Sequence, residues 1–81
     1  MNQSTVMNQV RALIAVVGRV PPDFNPDADV FRELGIASAA ALDLLLRIEE
    51  EFEISIDDEQ FARTRTLTAM SALVSNLRGN A

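Results

Sequence analysis

Phe31-Arg32-Glu33-Leu34-Gly35-Ile36-Ala37-Ser38 runs without a break into Ala39-Ala40-Ala41-Leu42-Asp43-Leu44-Leu45-Leu46-Arg47-Ile48-Glu49-Glu50-Glu51-Phe52. The second half reads as a helix. Ala39 to Ala41 are strong helix formers, and Leu44, Leu45, Ile48 and Phe52 recur at three- and four-residue spacing. Leu42 and Leu46 widen that stripe beyond one face, as expected of a helix with a central place or a second contact surface. The helix is expected to begin at Ser38 and run to about Glu53, with Leu46 partly exposed.

Three more helices follow from the pattern on either side. Val6, Val10, Leu13, Ile14 and Val17 form one helical face, with Ser4 or Thr5 as a cap and Gly18 then Pro21-Pro22 as the stop. Residues 18–37 make a long connection rich in Pro, Asp and Asn, pinned by a short helical turn carrying Val30, Phe31 and Leu34, with Phe24 as another anchor. Ile54-Ser55-Ile56 reads as a brief extended bridge. Asp57-Asp58-Glu59 then opens a short helix, complementing its positive end. Thr66 caps a last helix that buries Leu67, Met70, Leu73, Val74 and Leu77 and stops at Gly79. The expected fold is all-α, a four-helix bundle with a long loop between helices 1 and 2 and a short third helix. Eighty-one residues make it a single domain, 1–81.

Composition narrows the chemistry. His, Cys, Lys, Tyr and Trp are all absent, so no serine has a neighbouring base to activate it and no thiolate can hold a metal. An enzyme acting alone is not expected. All twelve acids lie between Asp23 and Glu59 with only Arg32 and Arg47 among them, so that window carries −10; the flanks carry +5. So negative a field repels phosphate backbones and attracts a partner with a basic docking patch. Asp57, Asp58 and Glu59 read as helix capping and solvation, so no metal site is assigned. The apolar run Ala12 to Val17 is too short for a membrane span and suits a buried helix face better than a leader. The lack of cysteine fits a cytoplasmic protein, the lack of a long apolar run a soluble one, and a monomer is expected.

The quoted stretch resembles acyl and peptidyl carrier proteins. Their pattern is an acidic residue, Leu, Gly, two variable residues and a modified Ser, then an amphipathic helix ending in Glu-Glu-Glu-Phe or similar. Here Glu33-Leu34-Gly35-Ile36-Ala37-Ser38 and Glu49-Glu50-Glu51-Phe52 stand in that register, and Ile56-Asp57-Asp58-Glu59 with Thr64 to Leu67 continue it. The resemblance covers about residues 6–77. It implies a 4'-phosphopantetheine arm, delivered from coenzyme A by a phosphopantetheinyl transferase onto Ser38, holding an acyl or aminoacyl group as a thioester. It also implies a surface for partner enzymes, an acyl or aminoacyl ligase or synthase, formed by Ala39, Asp43, Leu46, Arg47, Glu49 and Glu50.

A serine at a helix start suits that role, because unpaired N–H groups and the positive dipole end favour an anionic phosphate. The same position suits an ordinary N-cap, for which no function follows. Two residues depart from the family pattern: Ala37 stands where Asp or His is usual, and Ala39 where a large apolar residue is usual. Together they point to a specialised carrier, with Arg47 discriminating among partners by repulsion. The cargo, whether fatty acyl, polyketide unit or amino acid, stays open. So does an alternative in which the bundle is never modified and serves only as an acidic interaction module.

Overall fold

The structure, a computed structural model, describes residues 3–79. Four helices appear in the expected order: α1 Gln3–Gly18, α2 Ser38–Phe52, α3 Asp58–Arg63 and α4 Leu67–Gly79, with no strand among the described residues. α1 packs against both α2 and α4. The shared core is Val6, Val10 and Ile14 from α1, Leu44, Leu45, Ile48 and Phe52 from α2, and Leu67, Met70, Leu73 and Val74 from α4. These are the residues that recur at helical spacing, so periodicity and burial agree. Leu13, Val17 and Leu77, expected in the core, lie at its edge and are half-buried.

Helix ends follow local chemistry in part. Thr66 caps α4, its hydroxyl accepting the N–H of Ala69 at 3.0 Å. α1 is already helical at Gln3, so Ser4 and Thr5, expected as its cap, lie inside its first turn and do not cap it. α1 ends at Gly18, as expected, and both α1 and α2 are followed by a residue in the left-handed region, Arg19 and Glu53. Gly18 also serves the packing. A Cβ there would come within 3.2 Å of the Ile36 side chain, so its bareness lets the long loop fold back onto α1.

That loop is stitched down at three points. Arg11 of α1 donates from Nη1 to the carbonyls of Pro22 and Phe24 at 2.6 and 2.8 Å and stacks on the Phe24 ring. Thr68 of α4 donates its N–H to Pro26 and its hydroxyl to Asp27. Arg65, just before α4, reaches Asp29. Between these ties the chain makes one helical turn after Asp29, whose Oδ1 accepts the N–H groups of Phe31 and Arg32 while Glu33 returns a carboxylate to the N–H of Asp29. Val30 and Ile36 are buried by this turn; Phe31, Leu34 and Phe24 are half-buried.

Ser71 is an exception inside α4. It is fully buried and its hydroxyl has no hydrogen-bond partner. Burying an unpaired hydroxyl costs about 1–3 kcal/mol, and alanine also favours the helix. Ser71→Ala is therefore expected to stabilise the protein by about 1 kcal/mol, seen as a higher urea midpoint with an unchanged slope.

Candidate functional site

Ser38 stands at the first turn of α2, and the structure separates it from the role an N-cap would give it. Ala37 is the N-cap, with extended backbone (φ −76°, ψ 167°), and its carbonyl accepts the first helical N–H, from Ala41, at 2.8 Å. Ser38 is the first helical residue. Its side chain is exposed and makes no hydrogen bond among the described residues. The hydroxyl is thus unspent at the positive end of a fifteen-residue helix whose first turn contains no acid.

Gly35 sets the approach to this serine. Its φ is +75°, a conformation that a side chain disfavours, although nothing lies within 4 Å of where a Cβ would stand. The requirement is conformational and not steric. Gly35→Ala is expected to destabilise by about 1–2 kcal/mol, with Gly35→Asn milder because Asn tolerates that region. Thermal unfolding of the two variants checks the order.

A groove of about 340 Å³ opens beside Ser38, lined by Phe31, Ile36, Ala41, Phe61, Ala62 and Arg65. Phe31 from the loop and Phe61 from α3 meet edge to face, ring centroids 6.3 Å apart, across its wall. The interior side chains Leu13, Leu44, Leu45, Ile48, Phe52 and Leu73 do not line this groove. All of these but the half-buried Leu13 are buried in the common core. The groove residues come from four separate segments, so no local pattern could have grouped them.

The outward stripe of α2 brings together Ala39, Asp43, Leu46 and Glu50, all exposed, with Arg47 at one border. Leu42 belongs to the same stripe. It is 56% exposed and Leu46 is 54% exposed, so the leucines that broadened the apolar pattern face solvent. The signal was present in the sequence: Leu42 lies three residues after Ala39 and four before Leu46. Arg47 Nε donates to Asp43 at 3.1 Å, an exposed pair one helical turn apart that tempers both charges. Glu49 sits at the opposite border, half-buried. Its carboxylate accepts the N–H of Ile56 at 2.8 Å, holding the α2–α3 connection in place. Asp57, Asp58 and Glu59 are exposed around the start of α3.

These features define a class: a helical bundle that presents an exposed and unengaged serine beside a groove. Comparison with known proteins gives that class its family. Residues 8–74 match the family described as "Phosphopantetheine attachment site". An acyl carrier protein of Thermosynechococcus vestitus (strain NIES-2133 / IAM M-273 / BP-1) is 30% identical over 77 residues, covering 94% of this chain and 95% of the relative. The chain belongs to the phosphopantetheine-binding carrier proteins of the acyl carrier type. Such proteins are carriers and not enzymes, hold 4'-phosphopantetheine covalently, and work with a phosphopantetheinyl transferase and acyl-handling enzymes. The site fits that group: a free hydroxyl for the ester, a positive helix end for the phosphate, and a groove beside it.

Proposed function

We propose that Ser38 is the attachment point, and that the chain carries an acyl or aminoacyl group as a thioester on the arm and presents it along the outward face of α2. The observation that carries this reading is the unspent hydroxyl of Ser38 at the first helical position, with Ala37 taking the cap. A serine engaged in capping would have to give up a hydrogen bond to become a phosphodiester. This one gives up nothing. In the attachment step the Ser38 oxygen forms a bond to phosphorus as its proton leaves. The pyrophosphate bond of coenzyme A breaks, and adenosine bisphosphate departs. The backbone N–H groups opening α2 then face the remaining negative charge.

Partner recognition in this reading uses Ala39, Leu42, Asp43, Leu46, Arg47 and Glu50, with Glu49 supporting the face from its border. Two exposed leucines supply the apolar centre and the carboxylates supply a rim that draws a basic patch. The Arg47–Asp43 pair leaves one cation within that rim and disfavours partners that place an arginine or lysine opposite it.

The test is intact mass after incubation with coenzyme A and a broad-specificity phosphopantetheinyl transferase, followed by fragmentation to locate the change. A gain of one phosphopantetheine on the peptide containing Ser38 is the expected result. No gain with any of several transferases would leave the unmodified interaction module as the better reading.

A further inference from the structure

The groove beside Ser38 is lined by aromatic and aliphatic side chains together with the serine and one charge. Of the residues lining it, only Arg65 is ionised. Arg65 is also held firmly from several sides. Its carbonyl accepts the N–H of Val30 at 2.8 Å, its Nε donates to Asp29 Oδ2 at 2.6 Å, and its guanidinium lies 5.0 Å from the centre of the Phe31 ring. Asp29 is itself anchored by the N–H groups of Phe31 and Arg32. These bonds, the Arg65 bond foremost, hold its carboxyl below the usual range and so keep it charged.

Only one edge of the guanidinium is used in this way. Asp29 takes the Nε donor, and the two terminal amino groups have no acceptor among the described residues. The side chain is 45% exposed. A planar fork with free donors, fixed at the rim of a groove that Ser38 shares, matches two oxygens of a singly charged phosphodiester. No acid in the first turn of α2 competes for it.

We propose that Arg65 is a positioning residue for the arm: its free amino groups receive the phosphodiester formed on Ser38, and the arm is thereby directed into the groove between Phe31 and Phe61. This rests on attachment at Ser38. It assigns to the segment between α3 and α4 a part in holding the arm, in addition to the face of α2 that meets partners.

The experiment is NMR on the isotope-labelled protein before and after loading with the arm, with attachment verified by intact mass. On loading, the side-chain N–H resonances of Arg65 shift while those of Arg32, which lies outside the groove, stay. The geminal methyls of the arm show cross-relaxation to the rings of Phe31 and Phe61. Arg65→Gln loses those contacts, Arg65→Lys keeps a weakened set, and Arg32→Gln keeps them all. Backbone amide shifts establish that each variant is folded. Should Arg65→Gln not fold, the Arg65 shift in the unaltered protein decides alone. A loaded arm that leaves Arg65 unshifted, or that keeps its ring contacts in folded Arg65→Gln, overturns the inference while attachment at Ser38 stands. Absence of any mass gain overturns attachment, and this inference with it.

Discussion

Ser38→Ala is expected to abolish the gain of phosphopantetheine completely and to leave stability unchanged within about 0.5 kcal/mol, the usual range for a surface substitution. The two halves of that result come from the same geometry. Attachment needs the hydroxyl oxygen; Ser71 is buried, and neither Ser55 nor Ser75 opens a helix. Stability does not need it, because Ala37 occupies the cap and the Ser38 side chain makes no hydrogen bond among the described residues. A capping serine would behave differently, with a loss of about 1 kcal/mol on truncation. Intact mass and a urea titration on one preparation measure both. A residual mass gain in Ser38→Ala would place attachment on another residue. A stability loss near 1 kcal/mol would mean that the hydroxyl caps α2 in solution.

Phe61→Ala should have the largest effect on folding of any change at the groove. Phe61 is the one buried residue of α3, a helix of six residues. Helices that short do not persist in water without tertiary contacts. Phe61 supplies them through the core and through its edge-to-face contact with Phe31. Truncating a buried Phe typically costs about 3–5 kcal/mol. A chain of this length has roughly 4–12 kcal/mol in total, so the loss is a large share of its stability. The urea midpoint should fall steeply. Amides of residues 58–64 should exchange well before those of α1, α2 and α4, because α3 loses its one buried side chain. Phe61→Leu should recover most of the loss. A drop below about 1 kcal/mol in Phe61→Ala would show that α3 is held chiefly by its flanking segments.

Much of this protein was legible in one dimension because its information is local. Apolar residues at three- and four-residue spacing placed α1, α2 and α4, and the core they form is largely the predicted one. Thr66 acts as the cap its residue type suggests. Ser38 was placed at the head of α2 by the change from loop to helix formers, and the structure begins the helix there. The outward face of α2 was legible almost entirely, since helical geometry alone assigns residues to faces.

Longer-range relations were decided by the tertiary fold. Sequence left Ser38 with two readings, cap or free hydroxyl, because residue type is the same in both; the backbone of Ala37 separates them. Leu42 widened the apolar stripe of α2, which fitted either a central place or a second contact surface; the packing leaves it 56% exposed. Glu49 looked like its acidic neighbours, yet its position at the border of the buried face commits it to the Ile56 N–H. The groove is the clearest case. Phe31, Ser38, Phe61 and Arg65 are scattered over more than thirty positions of chain and share no period. They meet because Asp29 binds Arg65 and because Gly18 and Gly35 let the long loop close over α1. Periodicity reports which way a side chain faces on its own helix. Which segments then face one another depends on loop closure and packing across the whole chain.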